Sequence, residues 1–594
     1  MRKNIIIIFV LGIAFASCKK GGSFLDQTAT QNLSTQAVFS DSAHTFQFLS
    51  AMYEYIGQDI IPQRAAFFTS GSGNEYASLE DLTTYSKSYY SAPGVAWLTG
   101  LATSTSNPFI YYYTQFYTEI RACNQYMLNV PTGPLSDAVK TRTIAEARFL
   151  RAFFYAQMIR LFGGVMLAGD QPLPATFDAG SYKRNTYKEC VDYIVAQCDT
   201  AAMNLPSSLS QNASDYGRAT SGACLALKAR VLLTAASPLF NGSPLSTASN
   251  VAPLICYSTA YDASLWQKAL TAFQAVMNLN QYSLYVDNST LGNGFRQLFL
   301  MRQNSEFIMP YMVPPNQSNS LNSNGLELLR FPISRGGYGQ SNPSQNLVDQ
   351  FGMNNGLPIT NPSSGYDSTN PYVNRDPRFY HTIIFNGASV YLSSSQKMAP
   401  VNIYDTKSST GVLTPTTDGI ASYVTFTGYY CSKMANDSVA TSTASSRVLP
   451  LIRYAEILLG YAEATNEYSG PTADVYNAVK QIRIRAGIAP GANGNYGLTP
   501  GMTKAQMRTI IQNEYQVEFA YEGHWFYDSR RWRTAEIQEA IPMTGLLAVI
   551  QSNNSFVYSK FNVLATLWSP QMYFAPIPAT EIYKSTLMVQ NPGW

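Results

Sequence analysis

The sequence is short of charge. Asp, Glu, Lys and Arg make up only 13% of its 594 residues, about half the ~25% usual for globular chains. The formal charge of +3 is negligible at this length. No run of Lys and Arg could track a phosphate backbone, so nucleic acid is excluded as a partner. Histidine is scarcer still: His44, His381 and His524 are the only three, and none stands in a metal-ligand spacing. There is no CxxC pair and no GxSxG elbow. The Gly-rich pieces "GSGNEY" and "SRGGYGQ" lack the helix that a phosphate loop needs. No cofactor is expected, and the pattern neither selects nor rejects calcium. After the first residues, no apolar run reaches the ~20 residues that span a bilayer.

What is present is apolar residue at 46% and aromatic residue at 13%, with 41 tyrosines. With so few charges, hydroxyl and amide side chains must cover much of the surface. Such a surface is hydrated without strong fields and suits neutral, hydroxyl-rich partners. The N-terminus, "MRKNIIIIFVLGIAFASC", has a basic start, an apolar run from Ile5 to Phe15 and small residues before Cys18. It reads as a secretory signal over residues 1–17. The cysteine after "FAS" resembles a lipobox, with Phe15 where Leu is usual. Lipid on Cys18 would tether the chain to a membrane surface. A plain signal peptide with an incidental cysteine is the alternative. The other cysteines, Cys123, Cys190, Cys198, Cys224, Cys256 and Cys431, are expected as buried free thiols. Cys190 and Cys198 cannot pair if one helix carries both, since eight residues rise ~12 Å.

Residues 18–309 read as mostly helical. In "TIAEARFLRAFFYAQMIRLFGG", Ala147, Leu150, Phe154, Met158 and Leu161 recur at steps of three and four, and Gly163-Gly164 ends the helix. Phe109–Val130, Tyr187–Asn204, Ala219–Ala236 and Leu265–Asn280 read likewise, joined by short loops into a degenerate array of helix pairs. Residues 310–447 are rich in Pro, Gly, Asn and Ser and form a loop-rich insertion with strand-like pieces such as "YVTFTGYY". Helices resume over residues 448–594, at "VLPLIRYAEILLGYAEATNEYSG", "ADVYNAVKQIRIRAGI" and "TKAQMRTIIQNEYQVEFAYEGHWF". Residues 18–594 are expected to form one unit.

Several stretches, in order, carry a family likeness. "EARFLRAFFYAQMIRLFGGVML" (146–167), "NPYVNRDPRFYHTI" (370–383), "RYAEILLGYAEATNE" (453–467), "VYNAVKQIRIRAGI" (475–488), "EYQVEFAYEGHWFYDSRRW" (514–532) and "YFAPIPATEIYKSTLMVQNPGW" (573–594) resemble hallmarks of the SusD/RagB family. "SCKKGGSFLDQ" is similar to the family's usual start. The departures are small: Tyr515 and Trp525 stand where the family often has Arg, Trp594 replaces a final Tyr, and Pro310–Thr369 matches loosely. The resemblance implies a mainly α fold of tetratricopeptide-like helix pairs with a loop-rich, partly β insertion. It implies an outer-membrane lipoprotein that binds a glycan and serves a SusC-like TonB-dependent transporter. Some relatives take peptides instead, and the family members are not enzymes.

The residues are weighed independently of that likeness. Glu514, Glu518 and Glu522 are spaced four apart, so one helical face stacks them. They read as either a general acid–base pair of a glycoside hydrolase or a helix end pinned by arginines, with Arg508, Arg530, Arg531 and Arg533 nearest in sequence. Glu456 and Glu463, about 10.5 Å apart on a helix, pose the same choice, with Arg453 as a ready partner of Glu456. The apolar surroundings favour the structural reading of both, and of His524 as a satisfied half-buried histidine. A lipid-anchored glycoside hydrolase remains the enzyme alternative. A sugar binds by laying its C–H face on an aromatic ring while polar side chains take its hydroxyls. Two loop regions have that chemistry. One holds Asn74, Glu75, Tyr76, Tyr89, Tyr90 and Trp97. The other holds Arg330, Phe331, Arg335 and Tyr338. "FIYYYTQFY" (109–117) reads as core.

Overall fold

The computed structural model describes residues 34–57, 79–88, 92–174, 176–313, 326–421, 424–443 and 447–594. Helix α1 (Ser42–Tyr53) leads into the array. Helix α2 (Ile110–Asn129) buries Tyr112, Tyr113, Phe116, Ile120 and Cys123, the stripe that the tyrosine-rich segment reads as core. Helix α3 (Asp137–Phe162) is buried on every side over its second half, because it lies between neighbours, and it stops before Gly163 at φ +72°. A capping box closes the start of α4 (Tyr187–Ala202): the Thr186 hydroxyl takes the Glu189 N–H, and the Glu189 carboxylate takes the Thr186 N–H. Helices α5 (Ser221–Ala236) and α6 (Ser264–Met277) follow.

Each of these helices packs on the next, α2 on α3 through to α5 on α6. The chain then leaves the row and returns as α7 (Tyr454–Ser469), which packs directly on α6. Gly460 permits this contact, since a Cβ there would sit 2.2 Å from the Phe273 ring. Helices α8 (Ala473–Ala486) and α9 (Lys504–Glu518) pack on α7, and the short α10 (Trp525–Arg531) follows. The protein is mainly α, as expected.

The excursion begins and ends in an antiparallel pair, β1 (Phe307–Val313) with β2 (Arg447–Arg453). This corrects the helix expected from Val448. Pro450 faces Pro310 in the ladder, and the helix starts only at Tyr454. Proline lacks the N–H a helix interior needs, while Val448 and Ile452 suit a strand. "YVTFTGYY" is a second correction: among its described residues only Tyr430 is in a strand, because Gly428 at φ +85° interrupts the run. A hairpin not anticipated from the sequence, β3 (Met543–Ile550) with β4 (Phe556–Leu564), joins short strands Asp405–Lys407 and Leu413–Pro415 in one four-stranded sheet. The six described cysteines are free and buried, and Cys190 and Cys198 share α4. No helix among the described residues is long and apolar enough to cross a membrane.

Candidate functional site

The acidic column near the C-terminus is the first place to look for chemistry. Helix α9 ends at Glu518, so Glu514 and Glu518 lie on it and Glu522 lies in the turn beyond. All three are at most 5% exposed. Glu514 is held by Arg378 at 2.6 Å and Arg483 at 2.9 Å. Glu518 takes Arg453 at 2.7 Å, Arg378 at 3.0 Å and a close contact from Arg485. Glu522 takes Arg453 at 2.6 Å and Lys433 at 2.9 Å. Glu306 and Asp376 complete a buried network of five acids and five bases. The braced reading holds, with its partners corrected. Arg508 pairs with Glu467, Arg530 with Glu539, and Arg531 with Glu463 and Asp528. Arg453 turns to the network, and Glu456 pairs with Arg230 at 2.6 Å instead. His524 is partly buried, stacked on Phe519 with ring centroids 4.3 Å apart, and lies 3.5 Å from Asp528.

The electrostatics follow from burial and pairing. Burial alone would raise the Glu518 carboxyl, but Arg485, Arg453 and Arg378 overcome it and hold it far below the ordinary carboxylate range. Burial pushes the Lys433 ammonium down to about 8, against the pull of Glu522. None of the three glutamates of the column opens on solvent with a proton to give, so they do not form a cleft-spanning acid–base pair. Among the described residues, no group of three or more His, Cys, Asp or Glu is placed to hold a metal.

The binding candidates divide sharply. Asn74, Glu75, Tyr76, Tyr89, Tyr90 and the lipid-anchor cysteine Cys18 lie outside the described residues. Trp97 is 1% exposed, on a short helix (Ala92–Leu98), edge-on to Phe109 and stacked on Trp594. Its ring serves the core, which corrects its reading as a sugar platform. Arg330 is likewise buried: it donates to the Lys433 carbonyl at 2.7 Å and lies over the Tyr521 ring. Phe331 is core, and Arg335 is spent on the carbonyls of Ala399 and Pro400.

Tyr338 differs, with 50% of its surface exposed. It sits on a turn pinned to the helix Leu326–Arg330: the N–H groups of Tyr338 and Gln340 donate to the carbonyls of Leu328 (2.7 Å) and Leu329 (2.6 Å). The Ser334 N–H donates to Asp418 at 2.9 Å, and the Thr441 hydroxyl caps the Arg335 carbonyl. Ser88 reaches Gln340 from one side, and Gly339 packs on the Val424 carbonyl. Close by, Lys87 lies over the Phe426 ring at 5.2 Å, its ammonium lowered by burial. A rigid turn thus presents one open aromatic ring amid amides and hydroxyls.

The family model described as "SusD family" matches residues 303–594. A second, described as "Starch-binding associating with outer membrane", matches residues 23–233. The chain belongs to the SusD family. Among curated SusD-like proteins, one from Bacteroides ovatus is 28% identical over 298 residues, which is 48% of this chain and 49% of that protein. SusD-like protein P38 of Formosa agariphila is 24% identical over 459 residues, 73% of this chain and 74% of that one. The match to SusD-like protein P2 of the same organism spans only 26% of that protein's length. A solved SusD-like structure from Bacteroides fragilis superposes with TM-score 0.74 at 24% identity, covering 94% of this chain and 98% of that one. A SusD-like carbohydrate binding protein from the same species gives TM-score 0.71 at 21% identity, covering 93% and 99%. A laminarin binding SusD-like protein gives 0.60 at 18%, covering 94% and 100%. In this SusD-family chain the network of Arg378, Arg453, Arg483 and Arg485 joins several of the hallmark stretches, which explains why those stretches look catalytic and are architectural.

The sequence reading passed over one further region, a cleft of about 500 Å³ beside the ends of α5 and α9 that includes Tyr261, Trp266 and Trp532. The signal was available in "STAYDASLW", a tyrosine in a polar loop followed five residues later by a tryptophan in the first turn of α6.

Proposed function

We propose that this SusD-family protein is a cell-surface binding protein, tethered to the outer membrane through lipid on Cys18. It captures an oligosaccharide or polysaccharide, without cleaving it, and passes it to a SusC-like TonB-dependent transporter. The observation that carries this reading is the whole-length structural match to SusD-like proteins named for carbohydrate or laminarin binding. The low surface charge, the buried and neutralised glutamate column and the open Tyr338 ring support it. Sugar capture of this kind needs a fixed aromatic face and hydrogen-bonding neighbours and no reacting group.

The test is retardation in native gels cast with single polysaccharides, laminarin and soluble starch among them. Tyr338→Ala is expected to reduce retardation in the responsive gel several-fold, as the loss of an aromatic contact worth about 0.5–1.5 kcal/mol requires. No retardation in any gel, together with tight binding of a peptide mixture, would overturn the glycan reading.

A further inference from the structure

The cleft beside α5 and α9 lies outside the Tyr338 turn and carries a second set of recognition chemistry. Its rim residue Tyr261 is 62% exposed. The loop that carries it is held rigidly. Asn241, 3% exposed, clamps Asp262 from both sides: its Nδ2 donates to the Asp262 carbonyl at 3.0 Å, and its Oδ1 accepts the Asp262 N–H at 2.8 Å. Gly242, at φ +85°, donates its N–H to the Ser258 carbonyl at 2.8 Å. A Cβ on Gly242 would meet the Tyr261 backbone at 2.7 Å, so the loop closes only over glycine. An exposed aromatic ring on a backbone so fixed loses little entropy when it is covered.

Most of the charges that line the cleft are already paired. Arg508 grips both oxygens of Glu467, at 2.7 and 2.5 Å. The Lys504 ammonium donates to the Glu467 carbonyl. Glu463 is taken by Arg531 and by the Trp532 indole N–H at 2.7 Å. Of the charged residues lining the cleft, Glu463, Glu467 and Arg508 are matched, and Lys504, with 41% of its side chain exposed and 4.0 Å from the carboxylate that Arg508 already holds, is the one loosely paired charge. Neutral hydrogen-bonding capacity does remain. Among the described residues, the Gln512 carboxamide and the hydroxyls of Tyr261 and Ser243 line the cleft without a hydrogen-bond partner. Trp266 and Trp532 add apolar surface, both nearly buried in the wall. At about 500 Å³ the cleft falls within the usual ligand-pocket range of roughly 300–1,000 Å³.

We infer that this cleft is a second ligand site, which takes a neutral, hydroxyl-rich ring compound of about disaccharide size. The inference rests on the carbohydrate reading above for its ligand class and on Tyr261, Gln512 and the clamped loop for its place. Two sites would let one protein hold an oligomer at two points, raising its apparent affinity through effective concentration.

The probe is a panel of neutral disaccharides (maltose, cellobiose, laminaribiose, mannobiose and xylobiose) titrated calorimetrically into the full mature protein, with tryptophan emission followed in parallel. At least one is expected to bind and to shift the emission of Trp266 and Trp532. Tyr261→Ala and Gln512→Ala, both at solvent-accessible positions, should each weaken that binding about three- to tenfold. Lys584→Ala, at an exposed ion pair outside the cleft, should leave it unchanged, and the thermal midpoints of all the variants should match the parent protein. If disaccharides bind and only Tyr338→Ala weakens them, the second site is refuted while the carbohydrate reading stands. If a polysaccharide is retarded in gels but no disaccharide binds, the second site is refuted alone. If nothing in either experiment binds, both fall. A tripeptide mixture that shifts the emission where the sugars do not would also refute this ligand class.

Discussion

Replacing Glu518 by Gln tests whether the buried network braces the fold. Glutamine keeps the volume and one carbonyl oxygen, which can still accept from Arg453 at 2.7 Å and from Arg485. Its amide nitrogen then faces the Arg378 guanidinium, which donates to Glu518 Oε2 at 3.0 Å in the native protein. A hydrogen bond becomes a donor facing a donor. The balance of five acids against five bases becomes four against five, among side chains buried from solvent. Breaking a buried pair in this way costs about 3–5 kcal/mol. Urea unfolding followed by tryptophan emission measures it, with Asp192→Asn as the control. Asp192 pairs with Lys188 at the surface, where the side chains are 49% and 56% exposed, and its loss should cost under about 0.5–1 kcal/mol. The pH dependence adds a second readout. Glu514, Glu518 and Glu522 are held below their ordinary values by their arginine and lysine partners, which outweigh burial. Their contribution is therefore complete above the unfolded carboxyl range and is lost as pH falls through it, from about pH 5 downward. Glu518→Gln should flatten that acid limb. A variant within about 1 kcal/mol of the parent, with the same acid limb, would refute the brace.

Glu80 behaves in the opposite sense: burial raises its carboxyl to about 7, so its contribution is present when protonated and lost as pH rises from the unfolded value through about 7. Glu80→Gln should match the parent near pH 5 and melt higher than it at pH 8, in a series of thermal melts; parallel curves would refute this. Gly460→Ala should destabilise the α6–α7 contact by about 1–3 kcal/mol, because the new methyl overlaps the Phe273 ring. Adding Phe273→Leu should recover part of the loss, read as a coupling term in a double-mutant cycle, and strict additivity would refute the contact.

The helices were legible because each carries its own periodic stripe and stop: α3 halts one residue before Gly163, and α4 starts on its own Thr186 cap. The ion pairs were not. Proximity in sequence suggested Arg530 and Arg533 for the glutamate column, yet its partners Arg378, Arg453 and Arg485 lie 140, 65 and 33 residues from Glu518. Only the assembled fold brings α9, β2 and α8 together. Trp97 misled for a related reason. Its neighbours Pro93 and Gly94 signal a loop, but the segment forms a short helix whose tryptophan plugs against the last residue of the chain, Trp594. The exposure of Tyr338 is legible because a turn rich in glycine with one aromatic is a local feature. The cleft at Tyr261 needs residues from α5, α6, α7 and α9 and the loops beside them, and no short window contains it.

The direct seating of α6 on α7 makes the outer parts of the long departure between Met277 and Tyr454, those away from the anchors Glu306, Asp376, Arg378, Lys433 and Arg453, closed loops on a finished frame. Lengthening such a loop is inexpensive, since each doubling adds only about 0.6 kcal/mol of closure entropy. Descendants of this chain can therefore rewrite the outer part, residue by residue or by whole insertions, and change what they capture while the helical frame keeps its stability.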